Sequence, residues 1–177
     1  VTTVVDAGGA GWKSFPLFKK NIIDNSQTRV LSLLNIVGEG MRGGAYEQNT
    51  NDMDPKMAAF VAKQYKEYVV GFKVAHFNGP EWIPVDRAVE AGKLANMPVM
   101  IDFGGNTPPL PIEELFMKHL RPGDIYTHTY TLLDGNVRET VVDEATGKVK
   151  PFIWDARKRG IIFDVGYGGA SFNFTQA

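Results

Sequence analysis

The sequence predicts an α/β fold with a parallel sheet, arranged as a partial (β/α)8 TIM barrel of about six consecutive β/α units. Three observations carry this prediction. Six short runs rich in β-branched and apolar residues recur along the chain, helical patterns separate most of them, and each run leads into a loop rich in Gly, Asn or Thr. Because a complete barrel of about 250 residues uses roughly 30 residues a unit, the 177 residues correspond to about six units.

The predicted strands alternate with helices, which favours parallel pairing. The strand runs are VTTVVDAGG (1–9), RVLSLLNIVG (29–38), VVGFKVAHF (69–77), MPVMIDFGG (97–105), DIYTHTYT (124–131) and GIIFDVGYGG (160–169). A complete doubly wound sheet is the competing interpretation. Against it, DAGGAGWKS after the first run fits neither G-x-G-x-x-G nor G-x-x-x-x-G-K-[ST], the glycine-rich patterns that bind phosphate.

Helices are predicted between these strands. Ser14 is a candidate cap for a short helix that runs through Phe18 and Ile22. Asp54 and Pro55 open a longer one, whose apolar residues follow the i, i+3, i+4 spacing. These residues are Met57, Phe60, Val61, Tyr65 and Tyr68. The other helical segments are VDRAVEAGKLAN (85–96), PIEELFMKHL (111–120) and PFIWDARKR (151–159). VVDEATGKVK (141–150) has the residues of a polar hairpin.

Composition predicts one globular domain over residues 1–177. The chain has 19 basic and 20 acidic residues and 44% hydrophobic content, so nothing favours binding to nucleic acid. No stretch approaches eighteen apolar residues and no export leader is recognisable, so we expect no membrane span. With no cysteine, any metal must be held by nitrogen and oxygen ligands. The compartment, cytoplasmic or periplasmic, stays open.

Unusual polar residues cluster at the carboxyl ends of the predicted strands, where barrel enzymes place their chemistry. They are Asp6, Lys73, His76, Asp102, His128 and Asp164. Lys73 lies inside an apolar run, and an unpaired buried ammonium is costly. It must therefore be ion-paired, deprotonated or chemically changed. Because Lys73, Asp102 and His128 come from three successive strands, we expect their side chains to converge.

Several interpretations of these residues remain open. Lys73 and Asp102 can form a buried ion pair in a non-catalytic barrel. Lys73 can be a Schiff-base nucleophile, as in an aldolase. Its deprotonated amine can also take up CO2 to form a carbamate that binds metal together with Asp102 and His128. Asp6 and Asp164 can tie strand ends to nearby amides, while His119, near a helix C-terminus, is interpreted as structural.

Five segments together resemble a known family. They are VTTVVDAGGAGWKSF, GFKVAHF, PVMIDFGG, LRPGDIYTHTY and ARKRGIIFDVGYGGASFNF. In this order they resemble the amidohydrolase superfamily, in its dihydroorotase-like deacetylase branch. The resemblance implies a barrel in which a divalent metal centre, zinc or alternatively manganese or iron, activates water to hydrolyse an amide or ester. The implied substrate is a small acyl compound or cyclic amide.

The resemblance also implies roles for single residues. Lys73 falls on the carboxylated lysine that bridges two metal ions, and His128 on the sixth-strand histidine ligand. Asp102 stands where the pattern has a fifth-strand histidine, a change that adds an oxygen ligand and favours manganese or iron. Asp164 and Tyr167 fall on the Asp-Val-Gly-His-Gly motif, with Tyr167 in place of its histidine, and are the expected substrate contacts.

Two parts of the family pattern are absent from these residues. The first-strand His-x-His pair and the eighth-strand aspartate, the usual proton shuttle, have no counterpart here, so no catalytic shuttle is assigned. An incomplete barrel exposes two sheet edges. We therefore expect the segment to associate with the missing barrel parts or with further copies of itself, and to be inactive alone.

Overall fold

Six strands form one parallel sheet in the computed structural model, which describes residues 1–131, 139–167, 171–174 and 176–177. The strands are β1 (Thr3–Asp6), β2 (Arg29–Asn35), β3 (Val69–Val74), β4 (Val99–Ile101), β5 (Ile125–Tyr126) and β8 (Ile162–Phe163). They lie side by side in chain order, and every neighbouring pair is parallel. A doubly wound sheet would reverse its order at a switch point. The curled half-barrel confirms the predicted fold class.

Between these strands, the described residues form six α-helices. They are α1 (Phe15–Asn21), α2 (Ala45–Gln48), α3 (Pro55–Gln64), α4 (Ile83–Ala95), α5 (Ile112–Glu114) and α6 (Pro151–Lys158). Short 3-10 turns follow α1 and α2 at Ile23–Asn25 and Thr50–Asp52, and α5 continues as a π-helical turn over Leu115–His119. Helices α3, α4, α5 and α6, which begin near residues 55, 85, 111 and 151, were expected from sequence, whereas α2 was not.

The two predicted N-caps have different outcomes. The Asp54 carboxylate accepts hydrogen bonds from the amides of Lys56 and Met57 at 2.9 and 3.0 Å, so this cap is confirmed. The Ser14 cap is wrong. Its hydroxyl accepts from the Gly11 amide at 3.0 Å and donates to the Glu39 carbonyl at 3.1 Å. It therefore joins two loops rather than capping α1.

The hydrophobic core lies between one face of the sheet and helices α3 and α4. Register partners across the strands belong to it, including Leu34, Phe72 and Val99. Small residues of α3 pack on this face, among them Ala58 and Ala62. The stripe that begins with Met57 and Phe60 was expected to be buried; these two side chains are instead 40% and 62% exposed. The helix instead buries three alanines and Val61, and small side chains allow its close approach to the sheet.

The predicted hairpin within 141–150 is present. It consists of β6 (Val142–Asp143) and β7 (Lys148–Val149), paired antiparallel. The Asp143 carboxylate accepts hydrogen bonds from the Thr146 amide at 2.9 Å and the Thr146 hydroxyl at 3.0 Å. These bonds hold the pKa of Asp143 below its ordinary value because they favour the ionised carboxylate.

The described sheet ends in two edge strands, β1 and β8. Half-exposed apolar residues mark both of them, with Val5 51% and Ile162 50% exposed. An edge strand has backbone N–H and C=O groups without partners in its sheet, so a strand from elsewhere can pair with it. In the part of the chain that the structure describes, no helix has the length and apolar character needed to cross a membrane.

Truncation of Phe72 tests the position of the core. Phe72 is fully buried on β3, so Phe72→Ala should lower the free energy of unfolding by about 3–5 kcal/mol. Phe60→Ala is the matched control, since its ring is 62% exposed, and should cost under about 1 kcal/mol. Urea denaturation of the full-length protein measures both. Equal losses would place the core elsewhere.

Candidate functional site

Lys73 is buried on β3 with 3% of its surface exposed. Its register partners are Asn35 on β2 and Met100 on β4. Its aliphatic stem passes over the backbone of Gly8, where an added Cβ would stand 2.6 Å from Lys73 Cγ. Gly8 has a φ of +95°, and its carbonyl accepts a hydrogen bond from Asn35 Nδ2 at 3.0 Å. The loop after β1 is thereby shaped around the lysine stem.

Asp102 and His128 meet at the carboxyl ends of β4 and β5. The Asp102 amide donates to the Val74 carbonyl at 3.0 Å, which extends the pairing of β3 and β4 to this residue. His128 Nε2 lies 3.3 Å from Asp102 Oδ2. Asp102 follows Met100 by two residues, and Met100 pairs with Lys73. Because side chains two apart share a face of a strand, Asp102 lies on the same face as Lys73.

The other nitrogen of His128 is also engaged. Nδ1 lies 2.6 Å from the carbonyl oxygen of Gly166, in the loop after β8. A carbonyl oxygen only accepts, so Nδ1 must carry the proton of this bond. Nε2 is then left to face Asp102, either as a protonated imidazolium or as a lone pair directed at a cation. Such an outer carbonyl is the usual support of a metal-ligating histidine.

His76 and Glu47 join this group, although the sequence pattern did not point to Glu47 and left the role of His76 open. His76 Nδ1 lies 2.9 Å from Glu47 Oε2, and His76 Nε2 lies 3.8 Å from Asp102 Oδ2. Glu47 is 2% exposed and also accepts from the Gly43 amide at 3.1 Å. The signal that could have identified Glu47 is the pairing of β2 with β3, which brings their following loops together.

His76 and His128 share an uncommon backbone conformation. Their φ angles are +55° and +56°, in the left-handed region that favours glycine. Each residue follows its strand by two positions. A sharp reversal at these points directs both imidazoles toward Asp102.

Asp164 and Tyr167, the expected substrate contacts, occupy the loop after β8. Asp164 Oδ2 accepts a hydrogen bond from the Thr127 hydroxyl at 2.6 Å, which links β8 to β5 at the level of the site. Tyr167 directly follows Gly166 and is 73% exposed. Its ring lies 5.4 Å from that of Phe172. Both residues border His128, and their contact with substrate stays a prediction.

Two further polar residues from the sequence analysis lie in structural contacts. The Asp6 carboxylate accepts from the Gly9 amide and the Ser32 hydroxyl, each at 3.0 Å, and so ties the end of β1. His119 Nδ1 lies 2.6 Å from Asp86 Oδ1, and its ring stacks on Trp82 with centroids 4.1 Å apart. Neither residue contacts Asp102 or His128 through these groups.

The donor chemistry of the site suits a divalent cation. Asp102 offers an anionic oxygen and His128 a supported imidazole nitrogen, ligands that zinc, manganese and iron accept. Within residues 1–131, 139–167, 171–174 and 176–177, no group of three or more His, Asp or Glu side chains is arranged to hold an ion. These residues therefore fit a metal centre only as part of a larger ligand set, to which Lys73 and residues outside this chain would contribute.

Curated bacterial proteins match the whole chain. A deacetylase of Enterococcus faecalis is 30% identical over 187 aligned positions, and one of Brucella anthropi is 30% identical over 190. A deacetylase of Agrobacterium fabrum is 29% identical over 188. The chain covers 47%, 44% and 43% of these proteins, so it spans under half of their length. No protein-family model matches the chain.

Solved structures give the same picture. An adenine deaminase superposes with a TM-score of 0.84 and 26% sequence identity, over 100% of this chain and 47% of its own. A dihydroorotase superposes with a TM-score of 0.75 and 28% identity, over 99% of this chain and 48% of its own. The likeness thus extends along the entire described sheet.

The packing of Gly8 against Lys73 yields a test of the site's shape. Gly8→Ala would hold an alanine at a positive φ and bring its Cβ into the lysine stem. The substitution should therefore lower the free energy of unfolding by about 2–5 kcal/mol. Gly147→Ala is the matched control, because Gly147 also has a positive φ, +65°, but nothing within 4 Å of an added Cβ. It should cost about 1–2 kcal/mol. Denaturant unfolding of both variants measures the difference, and a Gly8 variant as stable as the control would contradict this packing.

Proposed function

Because the predicted resemblance to the amidohydrolase superfamily is confirmed along the whole chain, we propose that the full protein hydrolyses C–N bonds of amides. The deacetylase and cyclic amidase types are the chemistry that its relatives' names suggest. The observation that carries the proposal is the meeting of Asp102 Oδ2 and His128 Nε2 at 3.3 Å, with His128 Nδ1 committed to the Gly166 carbonyl. That arrangement presents one anionic oxygen and one oriented nitrogen at the strand ends.

Metal dependence is part of the proposal. Lys73, Asp102 and His128 would hold a divalent cation, zinc or alternatively manganese or iron. When bound, such a cation polarises the substrate carbonyl and lowers the pKa of water. His128 Nδ1 would keep its proton and donate it in a hydrogen bond to the Gly166 carbonyl, so that Nε2 points toward the cation. The outer hydrogen bond fixes the ring and so removes the entropy of orienting it.

Lys73 would serve as a carbamate. Its nitrogen, once deprotonated, adds to CO2 and releases one proton, which gives an anionic oxygen ligand. This role is compatible with burial, because a carbamate at a position that is 3% exposed can be balanced by cations. The glycine at position 8 leaves room for the lysine stem.

Substrate would enter beside the loop after β8. We assign Tyr167 and Asp164 to the substrate side of the site, because the first is exposed next to Gly166 and the second lies across from Thr127. The substrate would be a small N-acyl, O-acyl or cyclic amide compound, as the relatives' names suggest. Asp164 would act through its fixed carboxylate and Tyr167 through its ring and hydroxyl.

Residues 1–177 would form a partial amidohydrolase-like barrel domain that needs other barrel parts. The chain spans under half of its curated relatives, and both edge strands carry half-exposed apolar residues. Strands from the rest of the protein, or from a further copy, would cover β1 and β8. A proton shuttle would come from those parts.

The ligand assignment predicts the effect of two histidine substitutions in the full-length protein. His128→Asn should lower kcat/KM at least about a hundredfold, because Lewis-acid stabilisation is worth several kcal/mol. His119→Asn, which changes a histidine paired with Asp86, should stay within about twofold of wild type. Hydrolysis of N-acetyl amino acids and cyclic amides measures both, with chelator treatment expected to abolish activity.

Two results would count against the assignment. Full activity after chelation would refute metal dependence. An equal loss of kcat/KM in both variants would point to a folding defect. Carbon-13 NMR in labelled bicarbonate should show a carbamate signal that Lys73→Arg lacks. Borohydride trapping of a substrate on Lys73 would support a Schiff base instead.

The need for further barrel parts gives a separate prediction. Residues 1–177 expressed alone should not hydrolyse these substrates and should associate or aggregate in size-exclusion chromatography, because the edge strands are open. Co-expression with the rest of the protein should restore a single species with activity. A stable, compact monomer of residues 1–177 would refute the need for a partner.

A further inference from the structure

Two histidines face the same carboxylate oxygen. Asp102 Oδ2 lies 3.3 Å from His128 Nε2 and 3.8 Å from His76 Nε2. In both rings Nδ1 is directed at an oxygen acceptor, the Gly166 carbonyl for His128 and the Glu47 carboxylate for His76. Both rings therefore have their Nδ1 proton fixed on the outside and Nε2 turned toward Asp102. This is the pattern that second-shell oxygens impose on metal-ligating histidines.

Among the described residues, the Glu47 side chain contacts the imidazole of His76. It is 2% exposed, and a buried carboxylate needs strong partners. Its hydrogen bonds are to the Gly43 amide and to His76 Nδ1. The Gly43 bond is local, so the contact that spans the site is the one to the imidazole.

The contact is not needed to dock α2 on the loop after β3. Gln48, next to Glu47, donates from Nε2 to the His76 carbonyl at 2.7 Å and accepts from the Asn78 amide at 2.9 Å. These bonds involve only the backbone of the β3 loop. Gln48 thus holds α2 against the loop after β3. The contact of Glu47 adds the orientation of the imidazole ring.

The separations suit ligands of one ion. Zinc–nitrogen and zinc–oxygen bonds of about 2.0–2.2 Å place two ligands of the same ion roughly 3.2–4.2 Å apart, from tetrahedral to opposed arrangements. Both Nε2 to Oδ2 distances fall within this range. As the side chains stand, the described residues do not form a three-ligand group. The His76 side chain is 55% exposed, so ion binding would require only a small shift of Nε2 toward Asp102 with the Nδ1 contact to Glu47 kept.

We propose that His76 is a further ligand of the metal centre, held in place by the buried carboxylate of Glu47. The inference rests on the proposed metal-dependent function and adds to it a donor from the β3 loop. His76 Nε2 would donate its lone pair to the cation, while the proton stays on Nδ1 and is donated to the Glu47 carboxylate. The centre then takes Lys73, Asp102, His128 and His76 from this chain, the last being a nitrogen ligand on the same strand end as the lysine.

Cobalt binding by the full-length protein tests the proposal. Metal-depleted protein is titrated with Co²⁺, and the absorption spectrum and the affinity in competition with a chelator are recorded. His76→Asn keeps a residue tolerant of positive φ and should weaken Co²⁺ binding about a hundredfold or more, with an altered visible spectrum. Glu47→Gln, which retains the shape of the side chain, should weaken it about 10–100-fold.

Two control variants separate ligation from folding. Gln48→Ala removes the docking bonds of α2 without touching the imidazole, and His119→Asn removes a histidine outside the site. Both should bind Co²⁺ within about twofold of wild type. Circular dichroism confirms that each variant is folded.

Each outcome decides a different claim. If wild type binds Co²⁺ and His76→Asn binds it equally with the same spectrum, His76 is no ligand while the proposed function stands. If Gln48→Ala weakens binding as much as His76→Asn, the group acts by holding the loop, and the ligand role is overturned. If wild type binds neither Co²⁺ nor Zn²⁺, both the ligand and the metal-dependent function fall.

Discussion

The parallel register of the six strands is the constraint on which the site depends. All six strands run in the same direction and lie in chain order, so residues far apart in sequence meet where the carboxyl ends of the strands lie side by side. Asp102 and His128 are 26 positions apart in number, yet their side chains meet because β4 and β5 are neighbours. A reversal of any one strand would send its polar residue to the opposite end of the sheet.

The two faces of the sheet differ in the side chains that they bury, and strand β3 around Lys73 shows this difference. Phe72 and Val74, the neighbours of Lys73 on β3, belong to the core packed against the helices. Lys73 between them lies on the other face, beside Asn35 and over Gly8. Alternation along one strand therefore places apolar side chains in the core on one side and a candidate site residue on the other. The apolar residues position the strand, and the strand positions the amine.

Much of the fold could be predicted from sequence, because hydrophobic period and turn residues are local signals. The strands, most helices and the 141–150 hairpin were accessible in this way. The exposed Phe60 and the Ser14 hydroxyl were not, since close packing of α3 and a contact with Glu39 decide them. At the site, Asp102 and His128 could be expected to meet. Glu47 was missed because it lies in α2, a helix that was not predicted, and not at the end of a predicted strand.

The left-handed backbone at His76 and His128 has an evolutionary consequence. A residue with a Cβ at such a φ costs roughly 1–2 kcal/mol, which glycine would avoid. Two such positions flank one carboxylate, so this rim is thermodynamically weaker than it could be. Glycine at either position would relieve this backbone cost but would also remove a side-chain contact, that of His128 with the Gly166 carbonyl or that of His76 with Glu47. Selection for stability at these two positions therefore sets backbone strain against side-chain contacts, so a stabilised variant need not carry glycine at either of them.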